Sequence, residues 1–401
     1  MAGLRATNPD NLRVVPLRSA RTASAQGFYL QSSTFGGYRV ERVLSTGSLG
    51  AVVCARHLLR DEVVVIKLLH PELRHDAVSM ARLSREAHVL AHVASERVVR
   101  LLDTGWTDEV GPYVVLEHLV GMDLARMLET NGPLPLPLAV DYVLQACEGL
   151  GVAHARGITH RDLKPENLFA VRSGSAPALK LLDFGIAQHG PESFPYRDIV
   201  AEVEGEGPLL GTPEYMSPER IRELPSADQR SDVWSLGVVL HELLTGRTPF
   251  GRHRFERSAD QAEICERVVS HSFELETNRA LLPPPVRAVI QRCLAPHPGQ
   301  RYQTVEELAA ALRRVAAMPE RWRGTLTGKF SRQVLAEVAS SAHAAPVVQV
   351  RRTRSTRLCW GVGVWLAIVL GASALAGSLV AKLQQQAARA TPAESLEPSI
   401  P

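Results

Sequence analysis

His160-Arg161-Asp162-Leu163-Lys164-Pro165-Glu166-Asn167, followed downstream by Asp183-Phe184-Gly185, decides how this chain is read. Asp162 is suited to accept or orient the proton of a hydroxyl group. Lys164, two residues on, brings positive charge beside it. Asn167 and Asp183 offer oxygen ligands, which a hard cation such as Mg²⁺ takes in preference to nitrogen or sulfur. Phe184 is apolar and is expected to pack away from solvent, and His160 reads as a structural side chain.

Upstream, apolar residues alternate along Tyr38–Leu44, Ala51–His57 and Val63–Lys67, which predicts three successive strands. Met80, Leu83, Ala87, Leu90 and Ala94 then recur at helical spacing. Val98–Leu102 and Tyr113–Glu117 read as two more strands. After Gly121 the pattern is mostly helical, as in Val233, Leu236, Val239, Leu240, Leu243 and Leu244, and a last helix is expected around Val305–Ala316. A small strand-rich part followed by a larger helical part predicts two lobes with a cleft between them. Ser45-Thr46-Gly47-Ser48-Leu49-Gly50-Ala51-Val52 joins the first two of these strands. Its glycines leave bare backbone of the kind that can approach an anion, although alone it reads first as a hairpin turn. Lys67 ends the apolar run Val63-Val64-Val65-Ile66 and needs an anionic partner there. Glu86, on the amphipathic helix, is the candidate.

In these motifs the chain resembles the protein kinase family over about residues 38–316, and within it the bacterial, eukaryotic-like Ser/Thr kinases that carry a transmembrane helix after the catalytic domain. The resemblance implies an α+β, bilobal protein kinase fold with a small β-rich N-lobe (38–118) and a larger α-helical C-lobe (119–316). It implies ATP and Mg²⁺ as cofactors and protein substrates. Asp162 is then the catalytic residue that accepts or orients the proton of the attacking hydroxyl, Lys164 balances charge on the moving phosphoryl group, and Lys67, paired with Glu86, meets the α/β-phosphates. Asn167 and Asp183 are the metal ligands. Gly47, Gly50 and Val52 match the phosphate-covering pattern G-x-G-x-x-G-x-V, with Ser45 where its first Gly stands. Leu116-Glu117-His118-Leu119 is the hinge: Glu117 and Leu119 would hold adenine through their backbones, Leu116 would be the gatekeeper, and Asp123 would reach the ribose. Phe184 would pack under the helix bearing Glu86, with Leu90 as a contact. Gly211-Thr212-Pro213-Glu214-Tyr215-Met216-Ser217-Pro218-Glu219 resembles the peptide-positioning loop, with Glu219 pairing Arg301 and Asp232 anchoring the catalytic loop. Thr212 and Lys164 favour Ser/Thr over Tyr specificity.

Arg161, before Asp162, implies a charge switch, because in the family such an Arg pairs with a phosphorylated activation segment. Glu206 and Glu204 stand where relatives commonly carry Thr, and no Ser or Thr lies between Ser193 and Thr212. Either these carboxylates stand in for phosphates, or the loop is simply acidic and solvated. Ser193 and Tyr196 are further candidate phosphosites.

Composition sets the outer limits. The chain has 401 residues, 45% of them hydrophobic and 22% charged, as expected of a globular protein. Its net charge of +3 is uneven. Arg5, Arg13, Arg18 and Arg21 make residues 1–37 a basic arm that reads as disordered, and Arg351, Arg352, Arg354 and Arg357 form a second cluster. The globule between them is slightly acidic, which argues against nucleic-acid binding and for basic flanks facing an anionic membrane. The odd set Cys54, Cys147, Cys265, Cys293 and Cys359 contains no C-x-x-C pair, so reduced thiols are expected and a disulfide framework or zinc site is not. No apolar N-terminal signal is seen. After a juxtamembrane linker (317–357), Leu358–Ala381 runs without a charge for longer than the roughly 20 residues that span a bilayer. The Arg cluster before it places the catalytic domain in the cytoplasm by the positive-inside rule, leaving residues 382–401 as a short extracytoplasmic tail. A single-pass protein of the cytoplasmic membrane is therefore expected. Ser373, Gly377 and Ala381 form a small-residue row that permits a homodimer. The competing class is a pseudokinase, a catalytically weak scaffold at the membrane; Ser45 and the acidic activation segment favour it, while the intact Lys67, Glu86, Asp162, Asn167 and Asp183 oppose it. A receptor for an external ligand is disfavoured by the short tail.

Overall fold

The computed structural model describes residues 33–172, 178–184, 188–189, 212–222, 228–250, 261–271 and 282–318. Strands β1 (Thr34–Phe35), β2 (Tyr38–Thr46), β3 (Gly50–His57), β4 (Val63–Leu69), β5 (Leu101–Thr107) and β6 (Gly111–Glu117) form one sheet in the order β1-β2-β3-β4-β6-β5. Every neighbouring pair in it is antiparallel. The uninterrupted apolar run of β4 is explained by burial on both faces. Val64, Ile66 and Leu68 join Phe35, Tyr38, Val53 and Val115 in a small core on one side. On the other, half-buried Val65 packs against the core that holds Val114 and Leu116 of β6 with Leu83, Leu90 and the helical lobe.

Helix α1 (Ala77–His92) begins where Asp76 accepts a hydrogen bond from the Ser79 N–H at 2.8 Å. That cap supplies an acceptor for a backbone donor the helix leaves unpaired. Its buried stripe includes Leu83, Glu86, Ala87 and Leu90, as the spacing predicts; Ala94 lies beyond its end.

Two expectations are corrected. The fold begins before Tyr38, because β1 pairs with β2 and Phe35 is buried edge-on against Tyr113, with ring centroids 5.4 Å apart. The strand expected over Val98–Leu102 starts at Leu101 instead. Val98 forms a parallel bridge with Leu181, and the Val99 N–H donates to the Leu181 carbonyl at 3.0 Å. The expected strand is thus divided: Leu101 pairs with β6, while Val98 and Val99 pair with a strand of the other lobe.

The larger lobe holds β7 (Gly121–Asp123), α2 (Leu124–Asn131), α3 (Leu136–His154), β8 (Ile158–Thr159), β9 (Leu168–Val171), β10 (Ala178–Leu181), β11 (Gln188–His189), α4 (Pro218–Ile221), α5 (Arg230–Thr245), α6 (Gln261–Val269), α7 (Pro284–Cys293) and α8 (Val305–Ala316). Strands β10, β9 and β7 make a small sheet in that order, on the lobe boundary. Helix α5 is buried from Ser231 to Leu244, so its polar residues must be satisfied inside the protein. Helix α8 is capped by Thr304, with Glu306 and Glu307 in its first turn and Arg313 and Arg314 in its last, each charge opposing the helix dipole.

Among the described residues, no helix is long and apolar enough to cross a membrane. Leu358–Ala381, the Arg cluster before it, Gly185, Gly211, Glu204 and Glu206 lie outside the described residues.

Candidate active site

The catalytic stretch between β8 and β9 has an unusual backbone. Arg161 has φ +67 and Asp183 φ +58, a left-handed conformation that non-glycine residues seldom adopt. Such residues cost about 1–3 kcal/mol each and persist only where neighbours impose them. At Arg161 the neighbours are visible. Asp232, fully buried on α5, accepts the His160 N–H at Oδ2 and the Arg161 N–H at Oδ1, both at 2.9 Å. His154 Nε2 adds a third bond to Asp232 at 2.7 Å. Burial alone would raise the Asp232 carboxyl, but the hydrogen bond and charge of His154, with help from His160 and the Arg161 N–H, hold it below the usual range. From the other side, the Arg220 guanidinium donates to the Arg161 carbonyl. The peptide is thus gripped from two helices.

Those grips set the side chains that follow. Lys164 Nζ lies 2.7 Å from Asp162 Oδ2 and 3.4 Å from Thr212 Oγ1, so it joins Asp162 to the loop expected to position the peptide. Asn167 spends its NH₂ on Asp162, at 2.7 Å to the carbonyl oxygen and 3.1 Å to Oδ2. That turns its amide oxygen into the group available as a metal donor. His160 is buried with both ring nitrogens engaged: Nε2 donates to the Leu182 carbonyl at 3.0 Å, and Nδ1 takes the Asp162 N–H at 3.3 Å. Its ring packs on fully buried Phe184, centroids 4.5 Å apart, and Phe184 shares the large core with Leu90. A structural role for His160 is what this geometry provides.

Lys67, on β4, pairs with Glu86 of α1 and lies 3.4 Å from Asp183 Oδ1. Burial works against its charge, but Asp183 and Glu86 outweigh burial and hold its ammonium well above the ordinary lysine range. Burial likewise pushes Glu86 upward, against the pull of Lys67. Asp183 keeps 46% of its side chain exposed, so it remains open to a cation while it touches Lys67. The pairing expected of Lys67 and Glu86 is present, and Asp183 joins them. One oxygen each from Asp183 and Asn167, with the cationic Lys67 nearby, suits a magnesium–triphosphate group.

The β2–β3 turn divides the roles of its glycines. A side chain on Gly47 would meet nothing closer than the Gly50 carbonyl at 3.9 Å, and the Gly47 N–H donates to that carbonyl at 2.8 Å. A side chain on Gly50 would lie 1.8 Å from the Leu68 carbonyl. Gly50 is therefore required by the backbone of β4, whereas phosphate approach was expected to be its reason. Ser45 pairs with Val52 across the hairpin, and Ser45 is exposed while Val52 is half-buried.

At the hinge, Leu116 is buried, Leu119 half-buried, and the Glu117 N–H is already given to the Arg100 carbonyl at 3.0 Å. Any adenine contact through Glu117 thus falls to its carbonyl. Asp123 caps α2, its Oδ1 accepting the Arg126 N–H at 2.8 Å, so part of the carboxylate expected at the ribose serves the helix start. Farther down, Glu219 takes two 2.7 Å bonds from buried Arg301, whose guanidinium also lies 5.0 Å from the Trp234 ring centre. Burial would raise the Glu219 carboxyl, but Arg301 holds it below the usual range. His154, Lys180 and Arg220 were missed from the sequence. Their partners lie 78, 63 and 59 positions away, and no local pattern marks them.

A small β lobe and a larger helical lobe, meeting where a Lys–Glu–Asp set faces an Asp–Lys–Asn set, define the protein kinase class. The protein kinase domain family model matches residues 38–311, and the chain belongs to that family, among its serine/threonine members. It is similar to the serine/threonine-protein kinase Pkn1 of Myxococcus xanthus, 35% identical over 69% of this chain and 38% of the relative. It is similar to pkn3 of the same organism, 32% identical over 78% of this chain and 56% of the relative. PknB of Mycolicibacterium smegmatis is 33% identical over 69% of this chain and 43% of its own length. The matches thus span about 38–56% of the length of these curated relatives.

Proposed function

We propose that this protein transfers the γ-phosphoryl group of ATP to Ser or Thr hydroxyls of protein substrates. The bond from the γ-phosphorus to the bridging oxygen of ADP breaks, and a bond to the substrate oxygen forms. The hydroxyl proton passes toward Asp162, and ADP leaves. Bound Mg²⁺ would supply charge neutralisation on the phosphates, with Asn167 and Asp183 as its protein ligands. The observation that carries this reading is the simultaneous contact of Lys67 with Glu86 and with Asp183, alongside Asp162 bonded to Lys164. Two such sets in one cleft support phosphoryl transfer, in which positioning and electrostatics dominate. The test is phosphate transfer from labelled ATP with Mg²⁺ to a generic basic protein. Wild type should label Ser or Thr, and Asp162→Asn should lose at least 100-fold. Binding of nucleotide without any transfer would support the scaffold instead.

The proposal extends to the flanks. Leu358–Ala381 tethers the kinase to the cytoplasmic membrane with its catalytic domain in the cytoplasm; its uncharged length and the preceding Arg cluster support this. Ser373, Gly377 and Ala381 would allow a homodimer there. The full chain should fractionate with membranes and remain through a high-salt wash. Glu204 and Glu206 replace activation-segment phosphates, and Glu204→Ala/Glu206→Ala should lower transfer several-fold. An unchanged rate in that double variant rejects the replacement.

A further inference from the structure

Two chain segments of the small lobe lie at the lobe boundary: the linker from α1 to β5, which packs on the larger lobe, and the hinge after β6, which leads into it. The linker is fastened to the helical lobe at several points. The Leu181 N–H donates to the Arg97 carbonyl at 2.7 Å, and the Val99 N–H returns a bond to the Leu181 carbonyl. Arg97 reaches α3 through Gln145 at 2.6 Å and Glu148 at 2.9 Å. The hinge is fastened to the linker by the Glu117 N–H, given to the Arg100 carbonyl, and by the Glu117 side chain. Glu117 Oε1 accepts the Arg100 N–H at 2.8 Å and the Lys180 ammonium at 2.6 Å. Lys180 Nζ also lies 3.3 Å from the Val98 carbonyl. Both side chains are largely removed from solvent, 19% and 18% exposed, so the pair is screened less than a surface salt bridge.

Lys180 stands on β10, three residues before Asp183. The next steps of that strand are also held: the Leu182 N–H donates to the Asn167 carbonyl at 2.9 Å, and its own carbonyl accepts His160 Nε2. One ammonium thus joins the adenine-side hinge, the linker leading from the Glu86 helix, and the strand that delivers Asp183. We infer that Lys180 is a positioning residue for nucleotide binding, latching the hinge through Glu117 to the strand that carries the metal ligand Asp183. Unlatched, the hinge backbone samples wider openings of the lobes, so nucleotide binds more weakly and leaves faster. Once nucleotide is seated, Lys67, Asp162 and Asn167 are unaltered, and the chemical step keeps its rate.

This inference rests on the kinase reading, and nucleotide binding separates the two. Dissociation constants and release rates for a fluorescent ADP with Mg²⁺ are measured on the full chain, before any transfer assay. Wild type should bind. Lys180→Met should weaken binding about fivefold to tenfold, raise KM for ATP by a similar factor, and leave kcat within twofold. Lys180→Arg, which keeps the cation, should stay close to wild type. Should Lys180→Met fail to fold, Glu117→Gln keeps an acceptor for the Arg100 N–H while weakening the Lys180 contact, and should shift the same constants in the same direction. Unchanged binding in a folded Lys180→Met variant, or a fall in kcat at constant KM, overturns the latch. Failure of wild type to bind any nucleotide overturns the kinase reading itself.

Discussion

Lys67 shows how a single residue can be charged where burial opposes charge. The strand that carries it is apolar, and its ammonium is sustained by Glu86 and Asp183. Glu86→Gln removes one of those two anions. The ammonium then rests on Asp183 alone, and its position at the phosphates loosens. Transfer should fall about 100-fold, since small displacements at a reacting centre cost that much. Rates measured at saturating ATP, on protein of unchanged melting temperature, check this; full activity would mean that Asp183 suffices. At this scale the sequence was highly legible for residues with a chemical task. Asp162, Lys164, Asn167 and Asp183 could be named because few side chains perform their roles. At Gly50 spacing says that bare backbone is needed but not what approaches it, which in the fold is the Leu68 carbonyl.

At the scale of elements, the β2–β3 hairpin makes that difference measurable. Gly50→Ala places a methyl group against the Leu68 carbonyl, and backbone cannot yield as a flexible side chain can. Denaturant unfolding should show a loss of about 1–3 kcal/mol. Gly47→Ala meets only an ordinary contact with the Gly50 carbonyl and should leave stability within about 0.5 kcal/mol. Equal losses in both variants would contradict the division of roles. The strands and the Glu86 helix were legible because alternation and helical spacing report buried faces directly. Over Val98–Leu102 only the last two residues lie in β5, because an apolar run does not tell which lobe its neighbours come from.

Across the whole molecule, helix α5 is the buried frame on which the catalytic loop and the peptide loop rest, through Asp232 and through Trp234 beneath Arg301. The same burial makes acid stability predictable. His241, inside α5, donates from Nδ1 to the Arg247 carbonyl at 2.8 Å. Burial pushes it down from its ordinary 6.5 to about 4, against that bond. Between these values the unfolded chain takes up a proton that the folded chain refuses, so stability is full above pH 6.5 and falls as the pH drops toward 4. The loss is on the order of 3 kcal/mol. His241→Asn, which retains a donor but does not titrate, should show a shallower decline in urea midpoints over that range; an identical slope would remove His241 as the cause. The sequence by itself determined the class of fold, the order of the two lobes and the identities of the chemical groups, because periodicity and functional side chains are local properties of a chain. Only the tertiary structure decided that Asp183 joins the Lys67–Glu86 pair, that Asp232 and Arg220 hold Arg161 in a left-handed turn, and that Lys180 reaches Glu117. Each of these joins residues far apart in sequence: the Asp183 and Lys180 contacts depend on how the two lobes pack, and those of Arg161 on packing within the larger lobe.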